Sequence, residues 1–368
     1  MTEPSLNIGI EEEYQIIDPQ TRELRSYVQQ FLEQGRAILP DQIRPEFLQS
    51  QIEAGTQVCR DVAEARDELV RIRRSMLQLA GDAGLWMAAA GTHPFSSWVT
   101  QLVSPFGRYP ELVRFLQDVG RQLLVFGMHV HIGIEDEELL IDVMNQLRYF
   151  LPHLLALSTS SPFWHGRDTG LKSYRSVVFE NLPRTGIPPQ FEAYASYRSY
   201  VEMLLATGSI AEPTHIWWDI RPSEKFPTLE VRIPDMCTRI EETLCLVALI
   251  QAIAAKLVRL RQANQSWRLY RKHLIDENKW RALRYGTGGR LIDFGKGKEV
   301  SFPSLIHEIL AWIDDVVDDL GSRREIEYAC TILREGTSAD RQLAEFRQSQ
   351  DLRAVVDRVV EETQEGVA

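Results

Sequence analysis

Cysteine is scarce in this chain. Cys59, Cys237, Cys245 and Cys330 are the whole set, and no two stand as Cys-x-x-Cys. That spacing argues against a structural zinc site, and four scattered thiols in 368 residues do not make a disulfide framework. A reducing, cytoplasmic setting is the expectation. Long apolar runs are also missing: no stretch of about 18 apolar residues stands out, so no membrane span is predicted. The opening Met-Thr-Glu-Pro has neither the basic nor the apolar region of a signal peptide. Cations are outnumbered, with 41 Lys and Arg against 52 Asp and Glu and a net charge of −11. Such a chain is a poor general binder of nucleic acid or anionic lipid. The usual phosphate-cradling loops are absent as well. Gly-x-x-x-x-Gly-Lys-[Ser/Thr] does not occur, and the glycines from 286 to 297 fit neither it nor Gly-x-Gly-x-x-Gly. His307-Glu308 starts a His-Glu-x-x-His motif that fails at Ala311. If this chain uses ATP, metal ions and arginines over a sheet must hold the phosphates.

What remains is an ordinary globular composition, 44% apolar and 25% charged. The length suits one large domain or two smaller ones. No Pro/Gly/Ser-rich linker divides it, so the expectation is a single catalytic domain over 1–368, strand-bearing in 1–235 and helical in 236–368. Apolar residues at spacings of three and four predict a helix over 61–81, through Val62, Ala65, Leu69, Ile72, Met76 and Leu79. Its arginines, Arg66, Arg71, Arg73 and Arg74, read as a solvated face. Further helices are expected at 27–38, 110–122, 135–157 (bent near Pro152), 192–207 and, beyond Arg239, through the rest of the chain.

Four segments share a different pattern. In 6–18, Ile8, Ile10, Tyr14 and Ile16 alternate with Gly9, Glu11, Glu13 and Gln15. In 47–57, Gln49, Gln51 and Glu53 share a face, with Glu46 just before. In 123–134, His129 and His131 oppose Met128, Val130 and Ile132. In 228–234, Glu230 and Arg232 oppose Leu229, Val231 and Ile233. Period-two alternation predicts strands with one buried face. The polar face of a solvated sheet ordinarily carries Lys, Thr and Ser. Here it carries Glu, Gln, His and Arg. Two carboxylates at i and i+2 repel each other unless a cation joins them. Glu11 and Glu13 are therefore candidate metal ligands, and the hard oxygen donors suit Mg²⁺, with Mn²⁺ favoured slightly by a histidine. His129 and His131 also fit a pair that merely lines a pocket. Asp219 and Arg221 read as sharing a strand face in 216–221.

The motifs that carry these residues are Gly9-Ile-Glu-Glu-Glu-Tyr, Gln51-Ile-Glu53, Gly127-Met-His-Val-His131, Arg167-Asp-Thr-Gly170, Leu229-Glu-Val-Arg-Ile-Pro-Asp235, Arg284-Tyr-Gly286 and Gly336-Thr-Ser-Ala-Asp-Arg341. With them the sequence resembles, over nearly its whole length, the bacterial carboxylate–amine ligases of the type-2 glutamate–cysteine ligase family. The resemblance implies an α+β, glutamine synthetase-like fold: a curved antiparallel β-sheet whose concave face holds ATP, metal and acid, with helices on the convex side. It implies an ATP-dependent carbon–nitrogen ligase with weak glutamate–cysteine ligase activity. Glu11, Glu13, Glu53, Glu230 and His129 look like its metal ligands. His129 and Arg232 look like residues at the transferred phosphate. Gln51, His131, Arg167, Arg175, Arg198 and Arg341 are expected to bind ATP or substrate. The partners implied are a small acid and a small amine, glutamate and cysteine first, in a possible homodimer. A metal-dependent amide or phosphate hydrolase, or a non-catalytic nucleotide or metabolite sensor, would use similar residues. Glu12 points to the opposite face from Glu11 and Glu13 and is expected to be replaceable.

Overall fold

Alternation in the opening segment places it in the middle of a sheet. The structure is a computed structural model and describes residues 3–107 and 109–367. Seven strands, β1 (Ile8–Ile17), β2 (Ile43–Pro45), β3 (Gln51–Gly55), β4 (Trp86–Ala88), β5 (Met128–Gly133), β6 (Ile220–Pro222) and β7 (Thr228–Val231), form one sheet in the order β6-β7-β5-β1-β3-β2, with β4 also on β1. Every pairing in it is antiparallel. On one face Ile8, Ile10, Tyr14, Ile52, Val130, Ile132, Leu229 and Val231 are buried. Two long helices, α1 (Val62–Asp82) and α2 (Ile240–Gln262), pack against β1, and α2 also against β5. The apolar stripe of α1 is the predicted one, and its first turn is capped by Asp61, which accepts from the Glu64 N–H. Burying a side chain such as Ile72 or Met76 there contributes about 2 kcal/mol.

α2 is apolar on nearly all sides. By length and composition it matches a membrane span, but 83% of that stretch is buried inside the fold. It is the core helix around which the others gather. One contiguous cluster of buried side chains runs from Ile8 to Val360.

Several expectations change. The 110–122 helix breaks at Gln117, whose φ of +53° is left-handed, into Tyr109–Leu116 and Asp118–Arg121. The 135–157 helix becomes Glu137–Leu147, a tight turn, and Leu151–Ser158, with Pro152 near the start of the last piece, where its missing N–H costs nothing. Strands do not end before residue 235: Arg290–Asp293 and Lys298–Ser301 make an antiparallel hairpin in the helical part. The arginine face of α1 is not simply solvated. Arg73 is fully buried, and Arg66 pairs with Glu241 and Glu325. Asp219 and Arg221 do not share a face, because the chain bends at Asp219 and turns its carboxylate onto Lys279, 2.6 Å away.

Candidate active site

Strand register brings the polar residues together in rows. Glu11 lies opposite His129 on β5 and Gly55 on β3. Glu13 lies opposite Glu53, which in turn faces Arg44 of β2. Glu230 lies opposite His131 on one side and Arg221 on the other. Directly paired residues on one face of an antiparallel sheet have neighbouring side chains. The four segments with Glu, Gln, His and Arg alternation therefore build one surface. It floors a cleft of about 510 Å³, walled by the 212–226 segment and by Phe106, Gly107 and Tyr109. An adjoining chamber of about 100 Å³ shares Glu46, Tyr109, His129, Trp217 and Arg232 and reaches Glu13, Gln51 and Arg175.

Three sets of donors crowd this floor: Glu13, Glu46 and Glu53; Glu11, Glu53 and His129; Glu11, His131 and Glu230. Within each set the ligand atoms lie within 4.8 Å of one another. Adjacent sets share a carboxylate, Glu53 or Glu11, so they form a continuous array. Its electrostatics are those of a site short of positive charge. Burial, together with the negative charges of Glu11, Glu46 and Glu13, pushes the Glu53 carboxyl well above the usual range, against the opposing pull of Arg44. Arg44 approaches Glu11 and Glu53 only at 3.4 and 3.6 Å, and its side chain is half exposed. Burial also raises Glu13, countered by Arg175, the Gly127 N–H at 2.7 Å and Arg232. Carboxylates and imidazoles in this arrangement fit a hard divalent cation such as Mg²⁺ or Mn²⁺.

The other end of the floor is cationic. Arg232 and Arg221 both hold Glu230; the Arg221 Nε donates at 2.8 Å. Burial alone would raise the Glu230 carboxyl, but the two guanidinium groups outweigh it and hold it far below the usual range. Arg232 also stands 3.5 Å from the His129 Nδ1. Burial first, then Arg232, lowers His129 to about 4, so its imidazole is neutral near pH 7. Its Nδ1 is 3.1 Å from Glu11. His131 is oriented by Thr228, 2.9 Å from its Nδ1, with its Nε2 3.9 Å from Glu11. Arg175 is buried, donates to the carbonyls of Ile233 and Arg232, and keeps its Nε without a partner. The cleft thus offers carboxylates for cations beside guanidinium groups for anions.

Not every expected residue comes here. Gln51 lines the chamber, but its amide is engaged by the Leu48 N–H at 2.9 Å and the Val125 carbonyl at 2.8 Å, which makes it a clamp between β3 and the approach to β5. Arg341 is tied to Glu362 and Glu242, each at 2.8 Å, and does not line the cleft. Arg198 stands exposed on the helix Tyr194–Ala206, paired with Glu202. Arg167 is exposed on a short hairpin and also lies outside the cleft lining. Charge and motif membership alone suggest these three, and none of them lines the cleft or its adjoining chamber. Sequence reading missed Arg44 and gave Arg221 no site role. Arg221 had only a weak signal, an arginine in a segment read as a strand; its place opposite Glu230 emerges only from the pairing. Arg44 had none, since β2 is three residues long.

Comparison with known proteins bears on this arrangement. The profile of glutamate–cysteine ligase family 2 matches residues 7–362. Proteins provisionally named glutamate–cysteine ligase 2 are similar throughout: one from Roseiflexus castenholzii is 54% identical over 360 residues, covering 98% of this chain and 95% of that one. Another, from Chloroflexus aurantiacus, is 55% identical over 363 residues, covering 99% and 93%. Among solved structures, a glutamate–cysteine ligase from Francisella tularensis in complex with AMP superposes with a TM-score of 0.68 at 13% identity, over 98% of this chain and 90% of that one. A bifunctional glutathione synthetase from Pasteurella multocida gives a TM-score of 0.71 at 14% identity; the chain is matched over 98% of its length but spans only 53% of that larger protein. The α+β fold expected from the sequence is the one shared with these structures. With residues 7–362 matched and relatives more than half identical end to end, the chain belongs to glutamate–cysteine ligase family 2.

Proposed function

We propose that the chain acts as one catalytic unit, an ATP-dependent carboxylate–amine ligase whose chemistry takes place over the β1, β3, β5 and β7 floor. The observation that carries this reading is the chained donor array from Glu46 to Glu230, ending at Arg232 and Arg221. Glutamate and cysteine, named in the family description, are the first acid and amine to consider.

A carboxylate does not acylate an amine, because oxide is not a leaving group. Transfer of the ATP γ-phosphoryl group to a carboxylate oxygen gives an acyl phosphate and ADP. The amine nitrogen then attacks the acyl carbon, the bond to the phosphate oxygen breaks, and amide and inorganic phosphate leave as the nitrogen gives up its proton. Glu11, Glu13, Glu53, Glu230 and His129 would hold the divalent cations, with Glu46 and His131 completing the outer sets. The chemistry a bound Mg²⁺ or Mn²⁺ supplies is neutralisation of phosphoryl oxygens. Arg232, beside Glu230 and His129, would bind the moving phosphoryl group, and Arg175 an anionic group entering the chamber. Neutral His129 accepts no charge near pH 7 and keeps the cation-binding row intact. This is catalysis by positioning and electrostatics.

The test is a matrix of small acids against small amines, with ATP and Mg²⁺, read as ADP and amide. ADP is expected only where both substrates are present. Glu11→Gln is expected to lower the rate roughly 10³-fold, a loss of about 4 kcal/mol of transition-state stabilisation. ADP release without amide, or amide cleavage without ATP, would refute the ligase assignment.

A further inference from the structure

Two of the motifs that carry the resemblance, 284–286 and 336–341, stand away from the cleft and brace one segment, 158–175, which holds a third, 167–170. Lys172 pairs with Asp340 at 2.6 Å, and its backbone N–H donates to the Leu283 carbonyl at 2.7 Å. Arg284 donates to the Gly170 carbonyl. The Ala339 N–H donates to the Thr159 carbonyl at 3.0 Å, and the Gln342 amide to that of Ser160 at 2.8 Å. The segment leads into the short helix Tyr174–Phe179, where Arg175 lines the chamber.

One buried carboxylate grips the same segment from within. Asp235, the last residue of Leu229-Glu-Val-Arg-Ile-Pro-Asp235, is fully buried. Its Oδ1 accepts from the Ser173 hydroxyl at 2.8 Å. Its Oδ2 accepts from the Ser161 hydroxyl at 2.7 Å and the Ser160 N–H at 3.0 Å. The Ser161 oxygen in turn accepts from the Arg175 N–H at 3.1 Å, and the Arg175 Nη1 stands 4.0 Å from the Asp235 Oδ1. The Asp235 backbone pairs with Gly127, whose N–H donates to the Glu13 carboxylate at 2.7 Å. Gly91 backs the carboxylate so closely that a Cβ there would lie 2.9 Å from the Asp235 Cγ.

Both Asp235 oxygens face donors, and a carboxylate is the form that accepts from all three. The Arg175 guanidinium donates to the Ile233 and Arg232 carbonyls, which carry no charge. A buried cation needs a counter-charge as well as acceptors. Burial lowers Arg175, and Asp235 first, then Glu13, oppose that effect. We propose that Asp235 is a positioning residue: through Ser161, and through its charge, it fixes where the Arg175 guanidinium stands in the chamber. Asp235 lines neither the cleft nor the chamber, so it acts through Arg175 and touches no substrate. Only the kinetic consequence of this role rests on the proposed ligase chemistry.

The test follows the Nε–H resonances of Arg175 and Arg73 in the full chain by ¹H–¹⁵N spectroscopy. Arg73 is the reference, buried on the opposite face of the sheet and held by Glu12. In Asp235→Asn the Arg175 signal should shift and exchange with water about tenfold faster, while the Arg73 signal keeps its position and rate. Ser161→Ala keeps the Asp235 charge but breaks the link to the Arg175 N–H, and should move the Arg175 signal the same way by less. If Asp235→Asn fails to fold, Ser161→Ala carries the comparison. In turnover, Asp235→Asn and Arg175→Lys should raise KM about tenfold for the same substrate, and the double variant should be no worse than Arg175→Lys alone. If the wild type forms no amide with any acid and amine, the ligase reading fails on its own, and the two resonances still decide the role of Asp235. An unmoved Arg175 resonance, an equal change in Arg73, or a lower kcat at unchanged KM would overturn the proposal.

Discussion

Glu12 sits between two cleft carboxylates and turns the other way, into the core. Arg73 of α1 meets it there through two nitrogens, one of them at 3.0 Å; Thr243 donates to it at 2.9 Å, and the Tyr14 hydroxyl also donates. Arg73 then reaches the carbonyls of Thr238 and Cys237 at 2.9 and 3.2 Å. The strand register expected from the sequence is correct; the replaceability expected of Glu12 concerns activity, and its burial and pairing make it matter for stability instead. Removing one charge of a fully buried pair leaves the other uncompensated and costs about 3–5 kcal/mol. Glu12→Gln should therefore lower stability by roughly that much in urea unfolding, while protein that remains folded at low temperature keeps its turnover, because Glu12 does not line the cleft. Glu11→Gln should do the reverse, losing activity with little loss of stability. Equal loss of activity in both variants would contradict the division of faces. The alternation in 8–17 makes the two faces legible. What each face meets is not, because Arg73 arrives from a helix some 60 residues away whose charged stripe looks solvated in isolation.

The strands act as rulers at the next scale. Period two places Glu11, Glu13, Glu53, His129, His131, Glu230 and Arg232 on polar faces, and antiparallel pairing sets them in rows. The alternation was readable; the order β6-β7-β5-β1-β3-β2 was not, since pairing partners lie far apart in sequence. β2, β4 and β6, of three residues each, are too short to show a period. The approach to β5 holds a second constraint. A Cβ on Gly127 would run into the Arg175 guanidinium, which is buried and held by the Ile233 and Arg232 carbonyls. Gly127→Ala should displace Arg175, cost about 1–3 kcal/mol of stability and lower activity, whereas Arg198→Ala on the outer helix should leave both unchanged. Kinetics and unfolding of the two variants side by side test this; full activity in Gly127→Ala would remove Arg175 from the site.

Across the whole molecule, α2 organises a helical body that the sequence marks clearly by its apolar periodicity. The hairpin at 290–301 and the ion-pair network of Arg341 with Glu242 and Glu362 lie within it, and neither leaves a local signature. The fold also buries neutral histidines, His93 in the loop after β4 and His153 in the helical body. Burial lowers His93 to about 3 and His153 to about 4. In the unfolded chain each titrates near about 6.5, so the unfolded state binds more protons below that pH. Their stabilising contribution is complete above about pH 6.5 and falls with pH, by about 1.4 kcal/mol per unit for each histidine near pH 5. The buried acids Asp219 and Asp235, raised by burial, act in the opposite sense. The difference between wild type and His153→Phe isolates one histidine: the variant's stability should fall less between pH 6.5 and 4.5, and parallel curves would contradict a buried neutral His153. The central claim concerns the cleft and the oxygen it moves. An acid substrate labelled with ¹⁸O in its carboxyl group, turned over with ATP and an amine, should deliver one labelled oxygen into inorganic phosphate for each amide formed. Amide formed alongside unlabelled phosphate would contradict passage through an acyl phosphate.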